Sequence, residues 1–289
     1  MRIAVFAVLA ACSGGIAFED FDDERRGATC GYYVRCGAFG TVGDCQTYFQ
    51  RFDVNNPSLE SAIDAGKIRY DGDAAESCID ALDGLDCDFA DQDADALVAC
   101  DEVLTGTGKV GAACAFDREC ATGRCVVPDC DEACCQGTCQ EPRILPGVEE
   151  PCSTLCADDL FCGFDQLCHE PLGIGESCDS YTVCAEPLYC SSNAGTCMRR
   201  PGRGQPCDGY CATEGDVCTG GVCVEAAVGG DFCTVADDCS QFYRCSIDTA
   251  RCELPETPTA NPNGTPCMFN IECESRYCDA VCTDVPICF

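Results

Sequence analysis

Cysteine constrains this chain more than any other residue, because 35 of its 289 positions are cysteine. That density is typical of a scaffold held together by disulfide bonds rather than by a large apolar core. A reducing compartment would keep thiols for metal or redox chemistry, whose usual signature is two cysteines separated by two residues. No such pair occurs and the chain has a single histidine, which disfavours zinc and thioredoxin-like chemistry. The sequence therefore predicts an exported, disulfide-bonded protein.

Residues 1–11 predict an export signal. A positive charge at Arg2 precedes an apolar run that ends at Ala11, which is shorter than the roughly 20 residues needed to span a bilayer but fits a signal peptide. Leu-Ala-Ala-Cys at residues 9–12 resembles the bacterial lipobox, so we expect Cys12 to become a lipid-bearing N-terminus at the outer membrane or cell surface. The alternative is ordinary cleavage near Ala17 and secretion. Either route removes Cys12 from pairing, and 35 minus one leaves 34 cysteines, an even number.

Charge and residue types narrow the function. Fifty acidic residues against 17 basic ones give a formal net charge of −33, which disfavours nucleic acid as a partner. His169 is the single histidine, and no serine or free cysteine marks itself as its catalytic partner. We expect His169 to be exposed in a linker, and we expect no catalytic residues and no enzymatic activity.

Residues 28–107 show helical periodicity and contain six widely spaced cysteines, after an acidic stretch at 12–27 that we expect to be a tether. Apolar faces and end signals predict four helices: from Val42 to Phe52 with Thr41 and Asp44 at the start, from Pro57 to Gly66, from Asp73 to Gly84, and from Leu97 to Leu104. Several cysteines lie on the apolar faces. The sequence thus predicts a small helical domain joined by inter-helix disulfides.

From residue 108 the helical period ends and blocks of cysteines follow, separated by junctions rich in Pro or Gly. Residues 108–142 form the first cysteine-rich block, residues 143–254 form four four-cysteine repeats, and residues 255–289 form a linker and a terminal block. We number these six units blocks 1 to 6. The predicted fold class is small and disulfide-rich: a helical six-cysteine N-terminal domain followed by an elongated array of cysteine-rich repeats with short β-hairpins and loops.

Most of the cysteines are expected in bridges within their own domain or block. Four cysteines pair in three ways, and the sequence does not choose among them. The expected bridge cysteines are, in the helical domain, Cys30, Cys36, Cys45, Cys78, Cys87 and Cys100; in block 1, Cys114, Cys120 and Cys125; in block 2, Cys152, Cys156, Cys162 and Cys168; in block 3, Cys178, Cys184, Cys190 and Cys197; in block 4, Cys207, Cys211, Cys218 and Cys223; in block 5, Cys233, Cys239, Cys245 and Cys252; and in block 6, Cys267, Cys273 and Cys278.

A family resemblance is carried by the segment from Gly111 to Cys125, Gly-Ala-Ala-Cys-Ala-Phe-Asp-Arg-Glu-Cys-Ala-Thr-Gly-Arg-Cys. Blocks 5 and 6 repeat its spacing more weakly. This segment resembles the N-terminal cysteine-rich domain of Dickkopf-type proteins. The whole mature chain resembles predicted lipoproteins of myxobacteria and their relatives, in which such blocks follow a helical six-cysteine domain. The resemblance implies the fold and an exported location.

Two charged patterns suggest ligands, each with a simpler structural interpretation. Asp91, Asp93, Asp95 and Glu102 match ligand positions of a calcium loop, but Ala96 stands where that loop needs glycine, so the start of a helix is the favoured interpretation. Calcium is therefore a weak candidate, and no other cofactor is expected. A basic cluster at Arg199, Arg200 and Arg203 is interpreted as an exposed junction, with an anionic glycan contact or a protease-sensitive linker as alternatives.

Two functions fit these features. The first is a surface-anchored binding or adhesion module that recognises a protein or polysaccharide through its repeats. The second is a passive component of an envelope or matrix. A calcium-dependent module and an enzyme are remote alternatives, since small disulfide blocks rarely form a deep pocket with convergent polar groups.

Overall fold

The computed structural model describes residues 15–50, 57–88, 98–128, 135–153, 155–157, 160–179, 182–255, 261–267, 273, 275, 278–279 and 281–284. The predicted fold class is confirmed: a helical N-terminal region is followed by short antiparallel hairpins cross-linked by disulfides. Within these ranges, no helix has both the length and the apolar character needed to cross a bilayer.

The longest helix, α1 (Phe18–Arg35), packs along α4 (Gly72–Gly84). Phe21 of α1 is 7% exposed and contacts buried Ala75 and Cys78 of α4. The prediction of an acidic tether at 12–27 is therefore wrong for residues 18–27, which form the first half of α1. The acidic side chains remain in solvent while the ring of Phe21 is buried, and this burial holds the stretch as a helix.

The next two helices follow the sequence signals. In α2 (Val42–Phe49), the backbone N–H of Asp44 donates to Oγ1 of Thr41 at 3.1 Å, so the predicted cap is confirmed. The described part of α3 runs Pro57–Asp64, and its chain turns at Gly66 with φ of 71°. Helix α4 begins at Gly72, one residue before the predicted Asp73, because Asp71 is the cap and accepts from Ala74 N–H at 3.2 Å.

The fourth predicted helix is partly wrong. Helix α5 ends at Glu102 (Val98–Glu102), and Leu104 lies in strand β2 (Leu104–Gly106). This strand pairs antiparallel with β1 (Ile68–Tyr70), and Val103, which links α5 to β2, is 1% exposed in the core. Backbone pairing with a strand distant in sequence therefore overrides the local helical pattern.

The six cysteines of the domain pair with one another, as Cys30–Cys45, Cys36–Cys87 and Cys78–Cys100.

Blocks 2 to 5 share one disulfide pattern, in which the first cysteine bonds the third and the second bonds the fourth. The bridges are Cys152–Cys162, Cys156–Cys168, Cys178–Cys190, Cys184–Cys197, Cys207–Cys218, Cys211–Cys223, Cys233–Cys245 and Cys239–Cys252. Block 1 has the corresponding pair Cys114–Cys125 and Cys120–Cys139, and block 6 has Cys273–Cys282. Cys135 and Cys267 are also disulfide-bonded.

The third and fourth cysteines of each repeat face each other across a hairpin. The hairpin strands of blocks 2 to 5 are β6 (Phe161–Cys162) with β7 (Cys168–His169), β8 (Leu188–Ser191) with β9 (Thr196–Arg199), β10 (Asp216–Thr219) with β11 (Val222–Glu225), and β12 (Arg244–Ser246) with β13 (Arg251–Glu253). Block 1 contains β3 (Ala113–Cys114), β4 (Cys125–Val126) and β5 (Gly137–Cys139), and block 6 contains β14 (Cys278–Asp279) and β15 (Val281–Cys282).

A shared backbone hydrogen bond ties the entry of each block to its hairpin. The residue three positions before the first cysteine has positive φ, and its N–H donates to the carbonyl of a hairpin cysteine. In block 3 this bond runs from Gly175, with φ of 83°, to Cys197 at 2.8 Å. The position is glycine in five blocks and Glu149, with φ of 61°, in block 2. This recurrent turn explains the glycines that precede the cysteines.

The chain folds back so that block 5 packs on the helical domain. Phe242 stacks on Phe39 in the turn that follows α1, with ring centroids 4.5 Å apart, and Phe39 is 1% exposed. Ser240 Oγ donates to the carbonyl of Ala38 at 2.6 Å, and Tyr243 accepts from the N–H of Gly40 at 3.3 Å. We call this contact the aromatic interface.

Blocks 1 and 4 also touch the helical domain. In block 1, the carboxylate of Glu119 is 1% exposed and pairs with Lys67 Nζ at 3.2 Å. In block 4, the N–H of Glu214 donates to the carbonyl of Cys87 at 3.1 Å. A Cβ at Gly215 would lie 1.9 Å from the carbonyl oxygen of Cys36, so only glycine fits there. The array is therefore not elongated throughout, because blocks 1, 4 and 5 lie against the helices.

Candidate binding clefts

The first concave site lies where block 3, block 4 and the helical domain meet. Its volume is about 500 Å³. We call it the three-way cleft, and it is lined by Asp88, Ile174, Glu186, Pro187, Leu188, Arg199, Arg200 and Ala212. Four of these eight residues are apolar and four are charged, two of each sign. Ligand sites combine apolar and polar lining in this way and favour the boundaries between structural units.

Backbone contacts hold the walls of the three-way cleft. Asp88 of the helical domain forms an antiparallel bridge with Thr213 of block 4. The Cys36–Cys87 disulfide anchors the segment just before Asp88 to the end of α1. Arg200 is positioned over the ring of Tyr210 at 5.8 Å, a cation–π distance. The walls are therefore fixed before any ligand arrives.

A buried polar network joins block 3 to block 4 beside this cleft. Ser191 Oγ donates to Asp208 Oδ2 at 2.6 Å, and the rings of Tyr189 and Tyr210 lie 5.3 Å apart. Burial, together with the hydrogen bond to Asp208, raises the pKa of Tyr189 to about 12. Burial opposes ionisation of Asp208, but the hydrogen bonds from Ser191 and Tyr189 outweigh it and lower the pKa of Asp208. The junction thus holds a carboxylate that orients both blocks.

The basic cluster is not a uniformly exposed junction, so that interpretation needs correction. Arg203 pairs with Asp216 at 2.6 Å and with Glu225 at 2.9 Å, and the Asp216 side chain is fully buried. Arg200 packs on Tyr210, and Arg199 lies exposed at the end of β9. The two arginines that line the three-way cleft are therefore Arg199 and Arg200, and Arg203 holds the hairpin of block 4.

A second concave site lies between blocks 2 and 3 and has a volume of about 410 Å³. We call it the aromatic pocket, and its described lining is Phe161, Gly163, Phe164, Asp165, His169, Glu170, Leu172, Asp179 and Thr182. The ring of Phe164 is 76% exposed at the tip of the hairpin turn. Three of the lining side chains are carboxylates, and none is lysine or arginine.

His169 belongs to this pocket, so the prediction that it lies in a linker is wrong. It sits in β7 opposite Phe161, with the two rings 5.7 Å apart. Its Nε2 contacts both carboxylate oxygens of Asp165, at 2.9 and 3.0 Å. The hydrogen bond to His169 lowers the pKa of Asp165, which keeps that carboxylate ionised. Hairpin pairing with β6 draws His169 into the block rather than leaving it between blocks.

Sulfur atoms cluster closely inside the blocks. In five groups, three cysteine Sγ atoms lie within 4.8 Å of one another, as at Cys233, Cys239 and Cys252. These sulfurs belong to the two adjacent bridges of each block, which accounts for the clusters without an ion.

Of the calcium candidates, Glu102 is exposed at the end of α5, while Asp91, Asp93 and Asp95 lie outside the described residues. Cys12 also lies outside them.

Comparisons with known proteins add one relative. No family model matches the chain, and no solved structure matches it. The chain is 31% identical over 160 residues to "Cell-cell adhesion glycoprotein 64" of Heterostelium pallidum. This similarity covers 50% of the chain and 48% of that glycoprotein, so the chain spans about half the length of the relative it matches.

Proposed function

We propose that this protein is an exported, lipid-anchored adhesion module that binds a protein or polysaccharide at the cell surface, without enzymatic activity. The observation that carries the proposal is the three-way cleft, in which one large apolar side chain remains exposed between rigid blocks. Ile174 is 64% exposed and lines the cleft together with Leu188, Arg199 and Arg200. A partner that covers Ile174 would gain apolar burial, and the arginines would orient it.

Rigidity favours binding over a purely structural role. The walls of the cleft are held by the Cys36–Cys87 bridge on one side and by the two bridges of block 3 on the other. A preorganised surface loses little conformational entropy when it binds, so more of the contact energy remains as affinity. A passive matrix component would need the disulfides but not an exposed Ile174 in a cleft.

Two similarities support the surface location. The similar glycoprotein of Heterostelium pallidum is named for cell–cell adhesion. The resemblance of block 1 to Dickkopf-type cysteine-rich domains and of the whole chain to predicted myxobacterial lipoproteins implies an exported protein. Cys12 would provide the anchor, because a lipid on the new N-terminus attaches the protein without a membrane-spanning helix.

The proposal is tested by binding of the purified, disulfide-bonded protein to intact cells of its source. Ile174→Glu places a charge in the lining of the cleft and should reduce binding at least tenfold. Ile144→Glu is the matched control, because Ile144 is 95% exposed in a linker away from the cleft. Equal binding by wild type and Ile174→Glu, or no binding by wild type, would contradict the proposal and favour the passive structural component.

The anchor is tested separately. Cys12→Ser should release the protein from the membrane fraction into the soluble fraction, or stop its processing. Mass spectrometry of the N-terminal peptide reports the lipid directly. Unchanged membrane partitioning with an unmodified Cys12 would remove the anchor from the proposal and leave the secreted alternative.

A further inference from the structure

We propose that the aromatic pocket between blocks 2 and 3 binds a basic side chain, lysine or arginine, of a partner protein. The inference deepens the adhesion function proposed above, because it names a chemical class of partner and a contact site distinct from the three-way cleft. Its basis is the combination of an exposed aromatic ring, three carboxylates in the lining and a concavity of about 410 Å³.

The aromatic side of the pocket is presented to solvent. Phe164 is 76% exposed although it is a large apolar residue, and it lies on a turn fixed by a hydrogen bond from Gln166 N–H to the carbonyl of Gly163 at 3.0 Å. Phe161 and His169 form the adjoining wall from paired strands. A cation near the face of an aromatic ring is attracted by the ring quadrupole.

The carboxylates are held in position by the same turn and by block 3. Asp165 Oδ1 accepts from the N–H of Leu167 at 3.2 Å, while His169 contacts both of its carboxylate oxygens. In block 3, Asp179 Oδ1 accepts from the N–H of Thr182 at 3.1 Å. Glu170 is exposed and also lines the pocket. One carboxylate from block 2 and one from block 3 are thus held by local hydrogen bonds in the lining that includes Phe164.

Charge decides which ligand this pocket favours. The described lining contains Asp165, Glu170 and Asp179 with His169 as the one basic partner, in a chain of net charge −33. An anionic ligand would be repelled. A neutral sugar could pack on the ring and donate its hydroxyl groups to the carboxylates, but it would gain nothing from their negative charge. An ammonium or guanidinium group is attracted by the ring and by the charge of the carboxylates together.

A glycine in the turn permits this geometry. A Cβ at Gly163 would lie 2.8 Å from both Asp165 Oδ1 and His169 Cδ2. The imidazole and the carboxylate therefore pack over a backbone that carries no side chain. Gly163→Ala should displace the Asp165 carboxylate and the His169 imidazole from the turn, and so disturb the wall of the pocket without removing any group that would contact the ligand.

The single histidine makes a direct test feasible, because His169 gives the only histidine ring signals in an NMR spectrum of the whole chain. The probe is Nα-acetyl-lysine N-methylamide, titrated at constant pH and about 0.15 M salt so that diffuse charge is screened. The norleucine analogue lacks the ammonium group, and methyl glucoside represents the sugar alternative. We expect saturable shifts of the His169 signals with the lysine probe alone, at millimolar concentrations.

Variants then assign the contact. Phe164→Ala should weaken binding of the probe about two- to fivefold, and so should Asp179→Asn. Phe232→Ala is the control, because Phe232 is also exposed, at 68%, but lies in block 5. Equal shifts with the norleucine or glucoside probe, no saturable shift, or unchanged binding in Phe164→Ala would overturn the proposal.

The cell-binding assay separates this inference from the adhesion function. If wild type binds cells and Phe164→Ala binds less well than Phe232→Ala, a partner that uses the pocket is supported. If wild type binds cells and Phe164→Ala binds equally well, the pocket proposal fails while adhesion stands. If wild type does not bind cells but His169 still responds to lysine alone, adhesion fails while the recognition chemistry of the pocket is supported.

Discussion

Blocks 5 and 2 have the same disulfide pairing and the same hairpin, but their surfaces differ. Block 5 buries Tyr243 and stacks Phe242 on Phe39 of the helical domain. Block 2 leaves Phe164 exposed and builds a pocket with its neighbour. The difference arises just before the third cysteine, where block 5 has Phe242 and Tyr243 and block 2 has Leu160 in the position of Tyr243. The bridges set the local fold, and a few side chains between them decide whether a block docks or remains open to a partner.

The largest expected effect comes from breaking the aromatic interface. Phe39→Ala removes a ring that is 1% exposed and should lower the free energy of unfolding by about 3–5 kcal/mol. Denaturant unfolding with the disulfides intact measures it. Phe164→Ala is the matched control, and its free energy of unfolding should stay within about 0.5 kcal/mol of wild type because the ring is exposed. Similar losses in both variants would refute the contrast between docked and open blocks.

Removing one bridge from each block should separate local from domain-wide effects. Cys152→Ser with Cys162→Ser opens block 2, and Cys233→Ser with Cys245→Ser opens block 5. Each loss should cost about 2–4 kcal/mol of stability. Hydrogen exchange should rise only within block 2 in the first variant, but also in α1 and α2 in the second, because the aromatic interface depends on block 5. Increased exchange in α1 after opening block 2 would contradict this distinction.

The carboxyl group of Glu214, in the part of block 4 that contacts the helical domain, predicts that the stability of the fold depends on pH. Burial raises the pKa of Glu214 above its usual value, although Arg200 and the hydrogen bond from Gln241 oppose the shift. Between the unfolded pKa of about 4.3 and the raised pKa of the folded state, the folded protein retains a proton that the unfolded chain has lost, so stability falls as pH rises through this window and stays lower above it.

Glu214→Gln should therefore raise the melting temperature at pH 7 and leave it unchanged near pH 3, where the carboxyl is protonated in both states. The amide can still accept the hydrogen bond from Gln241, which spans 2.8 Å in the wild type. Thermal unfolding at the two pH values is the measurement. Glu24→Gln, in an exposed part of α1, should show no such difference. A stabilisation that is equal at both pH values would refute the role of the charge.

The smallest effect concerns the shared entry turn. Gly175→Ala in block 3 should cost about 1 kcal/mol, because φ is 83° there and a Cβ meets nothing within 4 Å, so only backbone strain acts. Glu149→Gly in block 2 should remove the same strain and stabilise that block by at most about 1 kcal/mol. Hydrogen exchange of the Cys197 N–H reports the local stability of block 3, and that of the Cys168 N–H reports block 2. The two substitutions should change stability in opposite directions, and changes in the same direction would refute the shared turn.

Much of the fold could be predicted where the signal is local. Thr41 caps α2 and Pro57 opens the described part of α3, because capping and proline geometry act over one turn. None of the four predicted helices covers α1, since one buried ring, Phe21, holds its acidic half and gives no clear period. The local pattern predicts a helix at Leu104, because the strand that pairs with it, Ile68–Tyr70, is distant in sequence.

The candidate sites were harder to predict from the sequence than the blocks. His169 and the basic cluster could be located in the sequence, but their partners depend on hairpin pairing and on which blocks adjoin. Ile174 and Leu188 gave no sequence signal for a cleft, because one of its walls comes from Asp88, far earlier in the chain. A concave site between blocks has no local pattern.

The sequence by itself indicated the number of blocks and predicted that their cysteines form disulfide bonds, because both follow from cysteines at fixed spacing. Only the tertiary structure decided that the first cysteine pairs with the third, since all three pairings of four cysteines fit the same spacing. It also decided that Phe242 meets Phe39 across some 200 residues of chain. The free energy gained by apolar burial depends on which surfaces contact each other in the folded chain, and the spacing of residues along the sequence does not specify those contacts.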